Sequence, residues 1–134
     1  MEKSEFIPTI APLVVAENNK RGKPLYPSVV IAQAICESNW GQSKIMMNAN
    51  AIFGIKATSS WKGKVYNANT QECYDGSTYT NITACFRAYD NLQESISDYF
   101  DYTYDVTLTL DANISIIEKI IDSKIILPYF RKEE

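Results

Sequence analysis

Tyr26-Pro-Ser-Val-Val-Ile-Ala-Gln-Ala-Ile-Cys-Glu-Ser-Asn-Trp-Gly41 reads as a central helix with a single acid near its far end. Pro27 suits a first helical turn, where its missing N–H would be unpaired anyway. Val29, Val30, Ile31, Ala32, Ala34, Ile35 and Cys36 then cover nearly the whole circumference, which predicts burial on most sides and makes Cys36 a small buried hydrophobe. The polar exceptions, Gln33 and Glu37, are four residues apart and share a face. A carboxyl group in apolar surroundings is costly to ionise, and its pKa rises unless a partner compensates. Glu37 therefore has two readings: an acid kept protonated near neutral pH, as a general acid must be, or an ordinary helix-end glutamate reaching solvent or pairing with Lys44.

Composition narrows the chemistry around that acid. With 134 residues, 46% hydrophobic and 22% charged, the chain is expected to form one domain over residues 1–134 with a core of its own. A net charge of -3 and a pI near 5.0 argue against a nucleic-acid binder and give no general attraction to an anionic polymer. Histidine is absent, so no Ser-His-Asp triad, Cys-His dyad or His-ligated zinc site can be built. Cys36, although next to Glu37, has no histidine base to make it a peptidase nucleophile. Met1-Glu-Lys-Ser-Glu-Phe6 lacks the apolar run of a signal peptide, and no stretch is long enough to span a bilayer. A soluble protein without membrane insertion is the expectation.

On either side of the central helix the pattern is legible in pieces. Phe6, Ile7, Ile10, Leu13 and Val14 share a face of a first helix, capped by Ser4 or a neighbour, with Glu5 in its first turn and a bend expected at Pro12. Lys20-Arg-Gly-Lys-Pro24 reads as its solvated basic end. Gly41 to Lys44 opens an irregular segment, in which Asn48, Asn50 and Gly54 suit turns and Ile45, Met46, Met47, Ile52 and Phe53 return to the core. From Gly63 to Tyr89 the period becomes two. Asp75-Gly76 marks a turn, which predicts a hairpin with Thr70, Glu72 and Tyr74 on one face and Arg87 and Tyr89 together on the returning strand. Cys73 and Cys85 lie on these strands and could face each other, and their redox state is open. Asp90 with Gln93 suits the cap of a third main helix whose apolar face holds Leu92, Ile96, Tyr99 and Phe100. Asp105 to Leu110 then alternates like a strand or linker, and Ile114 to Leu127 reads as a last helix before Pro128.

Ala32-Gln-Ala-Ile-Cys-Glu-Ser-Asn-Trp-Gly-Gln-Ser43, Asn50-Ala-Ile-Phe-Gly-Ile-Lys-Ala57, Thr70-Gln-Glu72, Phe86-Arg-Ala-Tyr-Asp90, Ser95 and Asp98-Tyr99, in that order, resemble the glucosaminidase family, family 73 of the glycoside hydrolases. The resemblance covers about Phe6 to Tyr102 and leaves 105–134 as a divergent segment. It implies a lysozyme-like α+β fold, mainly helical, with a small β-hairpin lobe over an active-site groove. It implies a peptidoglycan hydrolase, an endo-β-N-acetylglucosaminidase cleaving the β-1,4 bond between N-acetylglucosamine and N-acetylmuramic acid. Such an enzyme works on the bacterial cell wall without metal or cofactor, and a monomer is expected.

On this resemblance Glu37 is the general acid and Glu72 the second carboxylate, although Glu72 also reads as a solvated strand residue. A carboxyl separation of about 6.5–9.5 Å would go with inversion and about 5–5.5 Å with a covalent retaining route; assistance by the substrate's N-acetyl group is a third option. The candidate binding residues are Gln33, Trp40, Asn50, Phe53, Gly54, Lys56, Trp61, Tyr74 and Tyr89, with Tyr66 and Tyr79 as further stacking aromatics. The family's C-terminal Gly-Tyr-Ala-Thr-like motif, whose tyrosine lies near the acid, is missing; Tyr102, Tyr104 and Tyr129 are substitutes at non-matching positions. Two alternatives stay open: a muramidase or lytic transglycosylase using Glu37 alone, and a catalytically weak glycan-binding module.

Overall fold

A computed structural model describes residues 1–73 and 76–105, with side chains except those of residues 70–73, 104 and 105. Tyr74, Tyr129 and the strand and helix expected beyond residue 105 lie outside the described residues. In chain order the elements are α1 (Lys3–Lys20), α2 (Pro27–Ser38), α3 (Lys44–Ala49), β1 (Val65–Cys73), β2 (Tyr79–Arg87) and α4 (Leu92–Asp105), an α+β arrangement. Helix α4 thus takes in Asp105, which the alternating pattern assigned to the following segment.

The cap of α1 is Glu2, in a capping box with Glu5, rather than Ser4. The helix continues through both Pro8 and Pro12. Each proline removes a helical hydrogen bond at a cost of about 3 kcal/mol. Burial of Phe6, Ile7, Ile10, Ala11 and Val14 offsets this, at about 1.5–3 kcal/mol for each large side chain. The C-terminal end is a Schellman turn: Gly22 is left-handed (φ 81°), its N–H bonds to Asn19 C=O at 3.2 Å, and Lys23 N–H bonds to Asn18 C=O at 2.7 Å. Arg21 is not the solvated terminus expected from composition. It donates to Glu17 and Asp101, both at 2.7 Å, and to Ser97, so it joins the end of α1 to α4.

Helix α2 begins with Pro27 in its first turn and buries Val30, Ile31, Ala32, Ala34 and Ile35 against α1 and α4 residues of one core that also holds Phe53, Ile96, Tyr99 and Phe100. Cys36 is exposed, against the expectation of burial. Gln33, Cys36 and Glu37 recur at helical spacing, so the accessible stripe of α2 takes in the cysteine as well as the two polar residues. The helix then ends tightly. Asn39 (φ 50°), Trp40 (φ 58°) and Gly41 (φ 80°) are all left-handed, Trp40 N–H returns to Ile35 C=O at 3.1 Å, and Gly41 N–H donates to the buried Ser38 hydroxyl at 2.9 Å.

A Cβ on Gly41 would meet the Phe6 ring at 2.9 Å. Gly41→Ala therefore combines a strained φ with overpacking and is expected to destabilise by about 2–3 kcal/mol, read as a lower urea midpoint with an unchanged m value. An unaltered midpoint would mean that this turn is freely remodelled.

The segment after Gly41 is not wholly irregular: Ser43 caps the short α3 by accepting from Met46 N–H at 3.3 Å. Met46, Ile52 and Phe53 return to the core as expected, whereas Met47 is exposed and Ile45 only half-buried. Strands β1 and β2 pair antiparallel, from Val65 opposite Arg87 to Cys73 opposite Tyr79. Cys85 lies opposite Asn67, six residues along the strand from Cys73's partner. At about 3.3 Å per residue the two cysteines are roughly 20 Å apart and cannot form the disulfide left open by the sequence.

Residues 55–57 flank the other edge of β2, through Arg87 N–H to Ile55 C=O and Ala57 N–H to Cys85 C=O, both 2.9 Å. This fixes the base of the hairpin to the helical body. Helix α4 is capped by Asn91, which accepts from Glu94 N–H at 2.9 Å, one residue later than the Asp90 cap expected. Its inner face carries Ile96, Tyr99 and Phe100, with Leu92 partly buried.

Candidate active site

Glu37 sits in the last turn of α2, on the same face as Gln33 and just before the left-handed turn. Its side of the helix is open, yet the surrounding protein removes enough water to raise the carboxyl pKa above the ordinary carboxylate value. A helix C-terminus carries partial negative charge, which disfavours the carboxylate in the same direction. Among the described residues no ion pair joins Glu37 to Lys44, the partner that would have made it an ordinary surface acid. The physical result is a carboxyl group at the accessible edge of a buried helix whose protonated form is favoured more than in a free glutamate.

Two neutral groups stand beside it. Tyr99, from α4, donates its O–H to Gln33 Oε1, one turn of α2 before Glu37. Its ring stacks on Phe53 with centroids 4.0 Å apart and planes 23° from parallel. The Tyr99 pKa is raised, first by burial and then by the charge of Glu37, so the phenol and the acid share one electrostatic neighbourhood. Tyr102, Tyr104 and Tyr129 were the tyrosines considered from the sequence. Tyr99 carries part of the quoted Asp98-Tyr99 motif and of an apolar helix face, but no role was given to its hydroxyl, although a buried phenol hydroxyl normally has a partner.

Phe53 is core, 8% exposed, and forms with Gly54, Lys56, Thr58, Ser60, Arg87 and Tyr102 part of the wall of a cavity of about 570 Å³. Gly54 is left-handed (φ 59°), and Lys56 is exposed while its carbonyl accepts from Arg87 Nε at 3.3 Å. A second cavity of about 410 Å³ is walled by Trp61, Gly63, Lys64, Tyr89 and the acids of α4. Asp98 and Asp101 border both cavities, and Glu37 borders neither.

The partition between these cavities is a partly buried clamp. Arg87 Nη1 donates to both oxygens of Asp98 at 3.1 Å, and Tyr89 O–H donates to Asp98 Oδ2 at 2.6 Å. Burial, and then Asp98, raise the Tyr89 pKa and keep the phenol a donor. The Arg87 guanidinium lies 4.6 Å from the Trp61 ring centroid, and Trp61 Nε1 donates to Lys64 C=O at 2.8 Å. Strand alternation had placed Arg87 and Tyr89 on one face; their common partner on α4 was not foreseen.

The remaining candidates divide. Asn50 is left-handed (φ 52°) and spends its amide on Tyr89 C=O at 3.0 Å, tying the end of α3 to the end of β2. Trp40 packs edge-on against Phe6, 6.3 Å between centroids, so its ring belongs to the α1 side of the core. Tyr66 accepts from Asn48 at 2.9 Å, and Tyr79 is exposed. Glu72 lies in β1 opposite Thr80, one pair short of the last pair of the hairpin. It is roughly 23 Å along the strand from Val65 at about 3.3 Å per residue. Its side chain and all of Tyr74 lie outside the described residues. Ser95, quoted above as part of a motif, is buried and accepts from Ile52 N–H at 3.2 Å.

A family model for glucosaminidases, described as mannosyl-glycoprotein endo-beta-N-acetylglucosaminidase, matches residues 12–119, and the chain belongs to this family. The peptidoglycan hydrolase FlgJ of Vibrio parahaemolyticus is 39% identical over 94 residues, which are 67% of this chain and 30% of that protein. The exo-glucosaminidase LytG of Bacillus subtilis is 42% identical over 73 residues, 54% of this chain and 25% of that protein. The chain thus spans under a third of the length of either relative. Among solved structures, the catalytic domain of the autolysin Auto from Listeria monocytogenes aligns with a TM-score of 0.72 at 27% identity, over 95% of this chain and 86% of that one.

Proposed function

We propose that this chain hydrolyses the glycan strands of peptidoglycan as an endo-β-N-acetylglucosaminidase, with Glu37 as general acid and Glu72 as second carboxylate. The observation that carries this reading is the environment of Glu37: partial desolvation raises its pKa although it remains accessible, and Tyr99, which senses its charge, and Gln33, one turn before it on α2, are neutral. An acid whose pKa is raised holds its proton to higher pH than a free glutamate and can give it to the leaving oxygen of a glycosidic bond. Family membership and the likeness to FlgJ, LytG and Auto support the substrate class.

Glu72 is carried far out on the hairpin, whose base is bonded to residues 55–57 and clamped to α4 through Arg87. Its role requires the arm to bring it over the groove, where it supports the oxocarbenium-like transition state or activates water. In this reading Gln33 and the wall formed by Phe53, Gly54 and Lys56 contact the sugars nearest Glu37, and Trp61 belongs to the cavity beyond the Asp98 partition. The site of action is the bacterial cell wall, and among the described residues no helix is long and apolar enough to cross a membrane.

The test is release of soluble fragments from purified peptidoglycan. Wild type is expected to release them, and Glu72→Gln to do so about 10²-fold more slowly, with the fold intact by circular dichroism. Undiminished release by Glu72→Gln would reassign the second role. Binding of peptidoglycan without any release would make the chain a glycan-binding module.

A further inference from the structure

The hydrolase reading uses Glu37 and leaves Tyr99 without a part. A phenol that only filled space could satisfy its hydroxyl with any acceptor, including a backbone carbonyl of its own helix. Tyr99 instead reaches across to Gln33, which lies one turn before Glu37 on the same face of α2. It is 5% exposed and its ring is fixed by the Phe53 stack, so the direction of its O–H is set by the core rather than by solvent.

The partner is an amide, and an amide has two unlike ends: its oxygen only accepts and its nitrogen only donates. With the oxygen taken by Tyr99, the N–H2 group of Gln33 lies on the opposite side of Cδ, in the same amide plane, and points away from the phenol. Gln33 is half-buried, and its accessible part belongs to the stripe that ends in Glu37. Two N–H donors are thereby offered next to the acid. They suit a carbonyl acceptor, and lacking a full positive charge they favour the Glu37 carboxylate less than a lysine or arginine would.

We propose that Tyr99 is a positioning residue: by holding the Gln33 carbonyl it turns the Gln33 N–H2 toward the bound sugar, where Gln33 reads the carbonyl of a 2-acetamido group. This rests on the hydrolase reading for the position of the sugar. It assigns Gln33 a specificity role and Tyr99 an indirect one. Both depend on the donor character of the phenol, and neither on its bulk.

The experiment is a double-mutant cycle on binding, read by calorimetry in the non-hydrolysing Glu37→Gln background. The ligands are a peptidoglycan tetrasaccharide and the same tetrasaccharide chemically de-N-acetylated. Tyr99→Phe and Gln33→Met are each expected to weaken binding of the acetylated ligand about tenfold, the scale of one lost hydrogen bond. The double variant should be no weaker than Gln33→Met alone. Binding of the de-N-acetylated ligand should be unchanged by all three, and Tyr99→Phe, which keeps the ring stack, should melt within a few degrees of its parent.

Additive losses, or equal losses on both ligands, would overturn the proposal and reduce Tyr99 to a packing residue. So would failure of the folded parent to bind either ligand. Additive losses in a protein that hydrolyses peptidoglycan normally would remove this inference alone. A coupled cycle in a protein that releases nothing from peptidoglycan would remove the hydrolase reading and keep the acetamido site.

Discussion

Glu37→Gln is expected to lower kcat/KM on peptidoglycan by about 10³-fold, in the range for loss of a general acid, while leaving the protein folded. The amide keeps the shape of the side chain and its ability to donate to the glycosidic oxygen, but it has no proton to transfer. The pH profile carries the same signature. Because desolvation raises the Glu37 pKa, the acid is protonated below that raised value, and the alkaline limb of kcat/KM follows its deprotonation above the ordinary carboxylate range.

Stability moves with it in a defined direction. The folded-state pKa lies above the unfolded one, so the folded protein holds the proton more tightly. The favourable contribution is complete below the unfolded pKa and is lost as pH rises through the folded pKa. Glu37→Gln is therefore expected to match wild type in Tm at acid pH and to exceed it at neutral pH. A Tm difference that stays constant from pH 3 to 8 (about the span of carboxylate titration) would contradict the desolvated acid.

The second large effect is on the clamp. Asp98→Ala is expected to destabilise by about 3–5 kcal/mol, which is a large part of a typical domain's total stability. Arg87 and Asp98 are only 14% and 13% exposed in their side chains, and Asp98 also receives the Tyr89 hydroxyl. Removing the carboxylate leaves a guanidinium and a phenol desolvated without their acceptor. Tyr89→Phe loses one hydrogen bond and is expected to cost about 1 kcal/mol. Arg87→Met combined with Asp98→Ala should recover part of the loss, since no buried charge is then left unpaired. Urea unfolding of the four proteins decides it; an Asp98→Ala midpoint as mild as that of Tyr89→Phe would show that water reaches the cluster. The clamp joins β2, the 56–61 loop and α4, so its loss is also expected to loosen the base of the arm that carries Glu72.

Long elements were legible in the sequence for simple reasons. Pro27 and an unbroken apolar run specify α2, the spacing of Leu92, Ile96, Tyr99 and Phe100 specifies α4, and alternation around Asp75-Gly76 specifies the hairpin. The six residues of α3 are too few to show a helical period, and they were read as irregular. Cys36 was misplaced because a run of small and apolar residues does not say which one faces out.

In the site, Glu37 was legible as a single acid in an apolar helix. Tyr99 stood in the quoted Asp98-Tyr99 motif, but its bond to Gln33 was not legible, because the two residues are 66 apart in sequence. The same holds for Asp98, whose role exists only once β2 and α4 are packed together. Local pattern fixes elements; side-chain chemistry between elements is decided by packing.

The most direct measurement is the identity of the reducing end that wild type creates in purified peptidoglycan, by borohydride reduction and mass spectrometry, with Glu37→Gln alongside. Reduced N-acetylglucosamine ends that are absent with Glu37→Gln are the expected result, within internal fragments of several disaccharides if cleavage is endo. Reduced N-acetylmuramic or anhydro-muramic ends would contradict the proposed bond, and ends that persist in Glu37→Gln would remove Glu37 from the chemistry.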